Sequence, residues 1–336
     1  MKHEIEFLII GQGIGGILIA FELWKMGKSF LVIDDGSEKA ASLAAGAILN
    51  PVNLNKWHLF EDQKTNWNIS LKTYHELEFL LKERFLIPLK FYFFPENDFK
   101  KIPEEISFVS KPDQKDINMV SEIFNNPGDA LEISDVYRVD IHRLKSAWKK
   151  FLSQKGIYIQ TDFHFSDCAF KNNSVEYGGY IFQKIIFAEG ARGIANPYFH
   201  DLPFIRNLGN VLHLKIENMP REIGFHSDKE KLIPMGEGRF WFGSNYEWSF
   251  NELLPDIRWQ NECFDILKRR LKIPFQITEH FVAERPTTIG QKPIMIQSKE
   301  HPELYMFNGL GTRGFTVAPV LAKEFYGKYF GNKQVE

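Results

Sequence analysis

The residues with the plainest chemical use stand at the start of the chain. Gly11-Gln12-Gly13-Ile14-Gly15-Gly16 fits the pattern G-x-G-x-x-G, and Asp34 follows 18 residues beyond Gly16. In this pattern the first glycine permits a tight turn, the second lets backbone approach a pyrophosphate, and the third lets helix pack closely on strand. The later acid accepts hydrogen bonds from ribose hydroxyls. A glycine-rich turn without a ligand is the alternative, and the complete pattern speaks against it. Gly11, Gly13, Ile14, Gly15, Gly16 and Asp34 are therefore candidate contacts for an adenine dinucleotide. An acid at Asp34, where a 2′-phosphate would call for arginine, argues against NADP but does not separate NAD from FAD.

Two further segments bear on that choice. Ser42 to Pro51, through Ala44-Ala45-Gly46, has side chains too small to obstruct a flat ring system; on propensity alone it also reads as an alanine-rich helix start. Asn308 to Pro319 is a second glycine-rich junction, containing Gly311, Thr312, Arg313, Gly314, Phe315 and Thr316. A helix beginning there would present N–H groups and its dipole to a developing negative charge, such as that at the N1–C2 carbonyl end of a reduced flavin. Other chemistries lack support: no H-x-H, H-E-x-x-H, G-x-S-x-G or Walker A pattern occurs, and no metal is expected.

The elements that must hold these residues follow from periodicity. Phe7 to Ile10 is a short apolar run suited to a strand buried on both faces. Ile14, Ile17, Leu18 and Phe21 recur at helical spacing, Gly27 offers a stop, and Phe30 to Ile33 is a second strand, which completes a βαβ unit. A helix is predicted from about Trp67 to Arg84, and another after Asp140 along the Ile141, Leu144, Trp148 and Leu152 stripe. Further strands are expected at 91–94, 157–159, 184–188, 211–216, 239–243 and 304–307, with helices at 257–271 and from near Thr316. The interleaving implies a discontinuous α/β architecture. A Rossmann-type domain is expected from 1–60, 136–200 and 286–336, and an α+β antiparallel-sheet substrate domain from 61–135 and 201–285.

Composition sets the outer bounds. Lysine plus arginine number 41 against 43 acids, a net charge of −2, which excludes a strongly basic polyelectrolyte. The cluster Lys268 to Lys272 lies on an amphipathic helix and reads as a solvated face. Cys168 and Cys263 form no metal or redox spacing and fit a reduced, cytoplasmic setting. The apolar run from Phe7 to Phe21 is too short to span a bilayer, so no membrane association is expected.

In these motifs the chain resembles the D-amino-acid oxidase superfamily of FAD-dependent enzymes, which includes glycine oxidase and sarcosine oxidase. The resemblance is carried by Gly11 to Gly16 with Asp34, by Ala44-Ala45-Gly46 running into Asn50-Pro51, by Ala188-Glu189-Gly190-Ala191, and by Arg285-Pro286-Thr287 through Lys292-Pro293 to the 309–319 block. That last block is most similar to the C-terminal oxidase domain of the bifunctional tRNA 5-methylaminomethyl-2-thiouridine biosynthesis enzyme. The resemblance implies a glutathione-reductase-like FAD-binding fold, with Ala44, Ala45 and Gly46 near the isoalloxazine, Gly190 beside the cofactor, and Thr312 to Thr316 at the pyrimidine end. Arg285 matches the arginine that pairs with the substrate carboxylate in glycine oxidase and its relatives, a task its planar fork suits. The alternative for Arg285 is a salt bridge with Glu284. Gly243 to Glu247 resembles the family's Gly-Ala-Thr-Glu-Glu strand end, which makes Tyr246 the candidate hydroxyl for the substrate. No cysteine stands where sarcosine oxidase relatives attach flavin, so noncovalent FAD is implied.

The expected activity is therefore oxidation of a small amine or N-substituted amino acid by hydride transfer to flavin, with hydrolysis of the imine and reoxidation by dioxygen. A carboxymethylaminomethyl uridine in tRNA is a second reading, disfavoured by the even charge balance. A non-catalytic FAD-binding module is a third, and an NAD-dependent dehydrogenase a weaker fourth. Oligomeric state is left open.

Overall fold

A computed structural model describes residues 3–52, 63–95, 108–125, 128–227 and 230–331. The expected domain junction at residues 60 and 61 lies outside the described residues. Two large sheets organise the fold. The first has eight strands, six in the spatial order Ile294–Gln297, Leu304–Asn308, Tyr180–Phe187, His3–Ile10, Phe30–Asp34 and Tyr158–Gln160. The five from Leu304–Asn308 to Tyr158–Gln160 run parallel, while Ile294–Gln297 is antiparallel to its neighbour. The hairpin Ala169–Lys171 and Ser174–Tyr177 attaches to Tyr180–Phe187.

The central strand shows why an unbroken apolar run was needed. Phe7 and Ile9 pack into a core with Ile17, Leu18, Trp148 and Phe325, whereas Leu8 and Ile10 pack on the opposite side with Val175, Phe187 and Phe199. Helix Ile14–Lys25 supplies part of the first core and ends before Gly27, whose φ is +65°. Helix Ile141–Gln154 begins where Asp140 accepts the Arg143 N–H at 3.2 Å, and it buries Ile141, Leu144, Trp148 and Leu152 as the stripe predicts.

The second sheet has nine strands. Its spatial order is Gln276–Thr288, Phe204–Lys215, Arg239–Gly243, Lys231–Gly236, Ile223–Ser227, Leu86–Phe94, Leu131–Val139 and Ile48–Leu49, with Val109–Ser110 beside Leu131–Val139. All pairs are antiparallel except Ile223–Ser227 against Leu86–Phe94. Strand Leu131–Val139 runs continuously across residue 136, and Ile48–Leu49, early in the chain, joins this second sheet. Helix Gln63–Leu81 begins before Trp67, and helix Ile257–Arg270 packs beside the sheet through Cys263 and Leu267. Among the described residues no helix is long and apolar enough to cross a membrane.

The final helix starts earlier than its pattern suggests, at Gly314 rather than near Thr316, which places Pro319 inside it. Proline cannot bond back to the carbonyl four residues earlier. That carbonyl, on Phe315, instead accepts the Tyr74 hydroxyl at 2.7 Å, and the Thr316 carbonyl accepts the Ser70 hydroxyl at 2.6 Å. Both donors come from helix Gln63–Leu81, so the proline ties two helices together.

Candidate active site

Strand order reverses direction between His3–Ile10 and Tyr180–Phe187, and a crevice opens at the carboxyl ends of these two strands, where open parallel sheets commonly bind ligands. Here the chain turns at Gly11, whose φ is +100°. A side chain at Gly11 would place its Cβ 2.5 Å from the Ala188 carbonyl oxygen. One at Gly16 would sit 1.9 Å from the Gly11 oxygen, so Gly16 works by letting the helix approach and lies beneath the crevice. Gly13 caps the helix without a side-chain acceptor, and the Ile14 N–H donates to Ser42 Oγ at 3.1 Å. The other N–H groups of this first turn have no intrahelical acceptor and favour an anion.

Asp34 is 7% exposed. Its carboxylate accepts the Gln12 N–H at 2.7 Å and the Gly36 N–H at 3.0 Å, with Lys145 Nζ at 3.5 Å. These contacts orient the acid toward the cleft. Lys145 has no motif to announce it, but it lies on the face of helix Ile141–Gln154 that reaches the first βαβ unit. Gln12 Oε1 is buried beside the cleft and has no hydrogen-bond partner among the described residues.

The crevice continues as one cleft of about 760 Å³ that reaches the second sheet. Gly11, Gly13, Ile14, Gly15 and Asp34 line one end. Ala44, Ala45, Gly46, Gly190, Gly311, Thr312, Gly314 and Phe315 line its course, and Tyr246 and Arg285 also border it. Gly16, Arg313 and Thr316 do not line this cleft. Arg313 Nη2 donates to the Asn50 carbonyl at 2.9 Å, burial pushes its pKa down to about 10, and with Thr316 it borders a separate small pocket. The Asn50 N–H reaches Thr316 Oγ1 at 3.4 Å, so both residues brace the segment after the alanine loop.

The alanine-rich stretch forms one helical turn, Ala41–Ala44, and then runs along the cleft. Trp241 Nε1 donates to the Ala44 carbonyl at 2.9 Å. A Cβ at Gly46 would stand 2.4 Å from Ile233 Cδ1 and 3.2 Å from the Trp241 ring, so a side chain there would have to displace Ile233. Glu189 also lines the cleft; burial lifts its carboxyl pKa to about 7 against the smaller opposing effects of an Asn196 hydrogen bond and Arg192.

At the second sheet, Arg285 donates to Asn207 Oδ1 at 2.5 Å and to Ser244 Oγ at 2.8 Å. Its partners are uncharged. Glu284, the neighbour that might have paired with it, is instead held by Arg206 at 2.8 and 3.1 Å. Burial lowers the Arg285 pKa, with Tyr246 acting in the opposite direction. The guanidinium carbon lies 4.8 Å from the centre of the Tyr246 ring, which is half exposed and stacks on Trp248. It is thus the ring of Tyr246 that meets Arg285. Gly209 makes the arrangement sterically feasible, because a Cβ there would lie 2.1 Å from Arg285 Nη2. Neither Gly209 nor Asn207 carries a sequence signal of its own; the register Asn207↔Arg285 and Gly209↔Ala283 assembles them, and Ser244 joins them from the Gly243 to Glu247 segment.

The cleft fits an FAD: an open helix N-terminus and the acid Asp34 stand at one end, and loops of small residues follow. The iminodiacetate oxidase of Chelativorans sp. BNC1 is similar in structure, with a TM-score of 0.78 at 18% identity over 96% of this chain and 94% of that one. Glycine oxidase from Bacillus cereus ATCC 14579 gives 0.78 at 16% identity, covering 98% and 96%, and L-proline dehydrogenase from P. horikoshii gives 0.78 at 16%, covering 100% and 96%. The sequence model of the family DAO, FAD dependent oxidoreductase, matches residues 6–326. With that match spanning nearly the whole sequence, the chain belongs to the DAO family of FAD-dependent oxidoreductases.

Proposed function

We propose that this protein oxidises a small amine or N-substituted amino acid bearing a carboxylate. The observation that carries the reading is the half-buried Arg285, held by Asn207 and Ser244 and with no carboxylate partner among the described residues, in the cleft that begins at the dinucleotide motif. A fixed fork of this kind is suited to a carboxylate and places the adjoining C–N bond reproducibly. The first sheet is the FAD-binding part and the second the substrate part. Gly11 to Ile14 would hold the pyrophosphate, Asp34 the ribose, and Ala44 to Gly46 with Gly311, Thr312, Gly314 and Phe315 the ring system. When bound, FAD supplies the two-electron acceptor. Overall the amine loses two electrons and two protons, water converts the imine to a carbonyl compound, and dioxygen takes up the electrons and protons as hydrogen peroxide. The two cysteines, both free thiols, support a reducing, cytoplasmic location.

The direct test is the visible spectrum of the purified holoprotein under anaerobic titration with glycine, N-methylglycine, D-alanine, proline and a digest of modified tRNA. Bleaching by one of the amino acids is expected. A spectrum unmoved by every one of them, followed by bleaching with the tRNA digest, would transfer the reading to a nucleoside substrate.

A further inference from the structure

Arg285 is not the only cation at the substrate end. Lys231 lines the same cleft and opens the strand Lys231–Gly236. Its backbone pairs with Gly243, and the next residue, Ser244, is the one that holds Arg285 Nη2. Ile233, two residues along the strand, faces the cleft as well. The two cations therefore flank one turn of the sheet floor.

Neither cation has a carboxylate within ion-pair distance among the described residues. Glu284, the cleft acid next to Arg285 in sequence, has both oxygens committed to Arg206. On the other side of Lys231 its strand partner is His226, 7% exposed, whose pKa burial and then Lys231 drive well below the usual value, so it brings no negative charge. Asp34, Asp35 and Glu189 border the dinucleotide end, where Asp34 meets Lys145, Asp35 meets Arg192 and Glu189 accepts from Asn196. Burial, followed by the charge of Arg285, lowers the Lys231 pKa, as expected of two like charges in a shared desolvated space. A partly desolvated ammonium beside another cation is costly, and pairing with an anion offsets that cost.

We propose that Lys231 and Arg285 together form a dianion site: the amine substrate carries a second anionic group, a carboxylate in the simplest case, which Lys231 holds while Arg285 holds the first. The proposal deepens the amine-oxidation reading and rests on it for turnover, although binding can be measured without turnover. Lys231 acts here through a point charge on a flexible stem, which tolerates some variation in the spacing between the two acids.

The test uses the FAD-loaded protein and carboxylates that have no amine to oxidise: malonate, succinate and glutarate against acetate, propionate and butyrate, read by perturbation of the flavin absorption. A dicarboxylate of fitting length is expected to bind at least 30-fold more tightly than its monocarboxylate counterpart. Lys231→Met should collapse that ratio below threefold, and Lys231→Arg should keep it above tenfold; Lys231→Gln serves if the methionine variant does not fold. A wild-type ratio near one, or a folded, flavin-retaining Lys231→Met or Lys231→Gln variant with its ratio intact, overturns the dianion site. Titration with aspartate and iminodiacetate against alanine and N-methylglycine separates the two layers. Dicarboxylate preference with no flavin reduction by any amine upholds the site and defeats the oxidase reading, whereas reduction by monocarboxylic amines alone does the reverse.

Discussion

The two ends of the cleft are built by opposite means. At the dinucleotide end the working parts are backbone: a turn at Gly11, an uncapped helix at Gly13, and a carboxylate oriented by main-chain N–H groups. At the substrate end they are side chains from two strands of the second sheet and the residue that follows a third, with Arg285 bonded to Asn207 and Ser244. Backbone machinery must come from contiguous residues, since a turn and the helix after it are neighbours in sequence. Side-chain machinery has no such constraint, and the substrate end draws on residues spread from 207 to 285. The difference leads one to expect that substitutions at one end cost cofactor and stability, while those at the other cost turnover and leave the flavin in place.

The largest separation should come from Arg285→Met. Removing the clamp is expected to lower kcat/KM for the carboxylate substrate by about 10²–10³-fold, the scale of about 3–4 kcal/mol for truncating one member of a buried charged pair, with FAD content unchanged in the visible spectrum. Loss of flavin from that variant would break the division. At the other end, Gly16→Ala forces a methyl group against the Gly11 oxygen and should cost about 3 kcal/mol of stability with loss of FAD, read by urea unfolding and flavin release.

Glu189 sharpens the contrast through pH. Its folded pKa of about 7 lies above the ordinary 4.5, so its contribution to stability is fully present below pH 4.5 and is lost as pH rises through 7. The loss is about 3 kcal/mol at most, at ~1.4 kcal/mol per pH unit, because the unfolded carboxylate ionises first. Thermal melts of flavin-free Glu189→Gln should show that decline removed, with the variant the more stable at pH 8. The smallest effect is expected from Gly209→Ala. Displacing the Arg285 guanidinium should lower kcat/KM by about tenfold with unchanged FAD content, roughly 1.4 kcal/mol. An equal fall in flavin affinity would mean that this floor also supports the cofactor.

The same contrast explains what could be read beforehand. The βαβ unit, the helix capped by Asp140 and the glycine junction at 309–314 were legible because turn chemistry and periodicity are local. Arg285 and the Gly243 to Glu247 segment that holds Ser244 were legible only through resemblance, and Gly209, Asn207, Lys145 and Lys231 not at all, since each matters for what lies beside it in space. Arg313 and Thr316 illustrate the converse. They sit inside a readable motif, yet the helix starting at Gly314 turns them away from the cleft toward Ile48 and Asn50. The Phe315 carbonyl that Pro319 leaves free in that helix is satisfied by Tyr74, 241 positions earlier in the chain.

The strand order of the first sheet also governs when the protein becomes competent during synthesis. Tyr180–Phe187 is bordered on one side by His3–Ile10 and on the other by Ser174–Tyr177 and, along Ile185 to Phe187, by Leu304–Asn308, which is made long after it. Until that late strand arrives, Ile185 to Phe187 offer unpaired backbone groups, a template for pairing with another chain. Gly311, Thr312, Gly314 and Phe315, which border the cleft, emerge later still. Flavin loading consequently waits for this segment, and a chain terminated before Leu304 should be found as aggregate, not as a colourless folded protein.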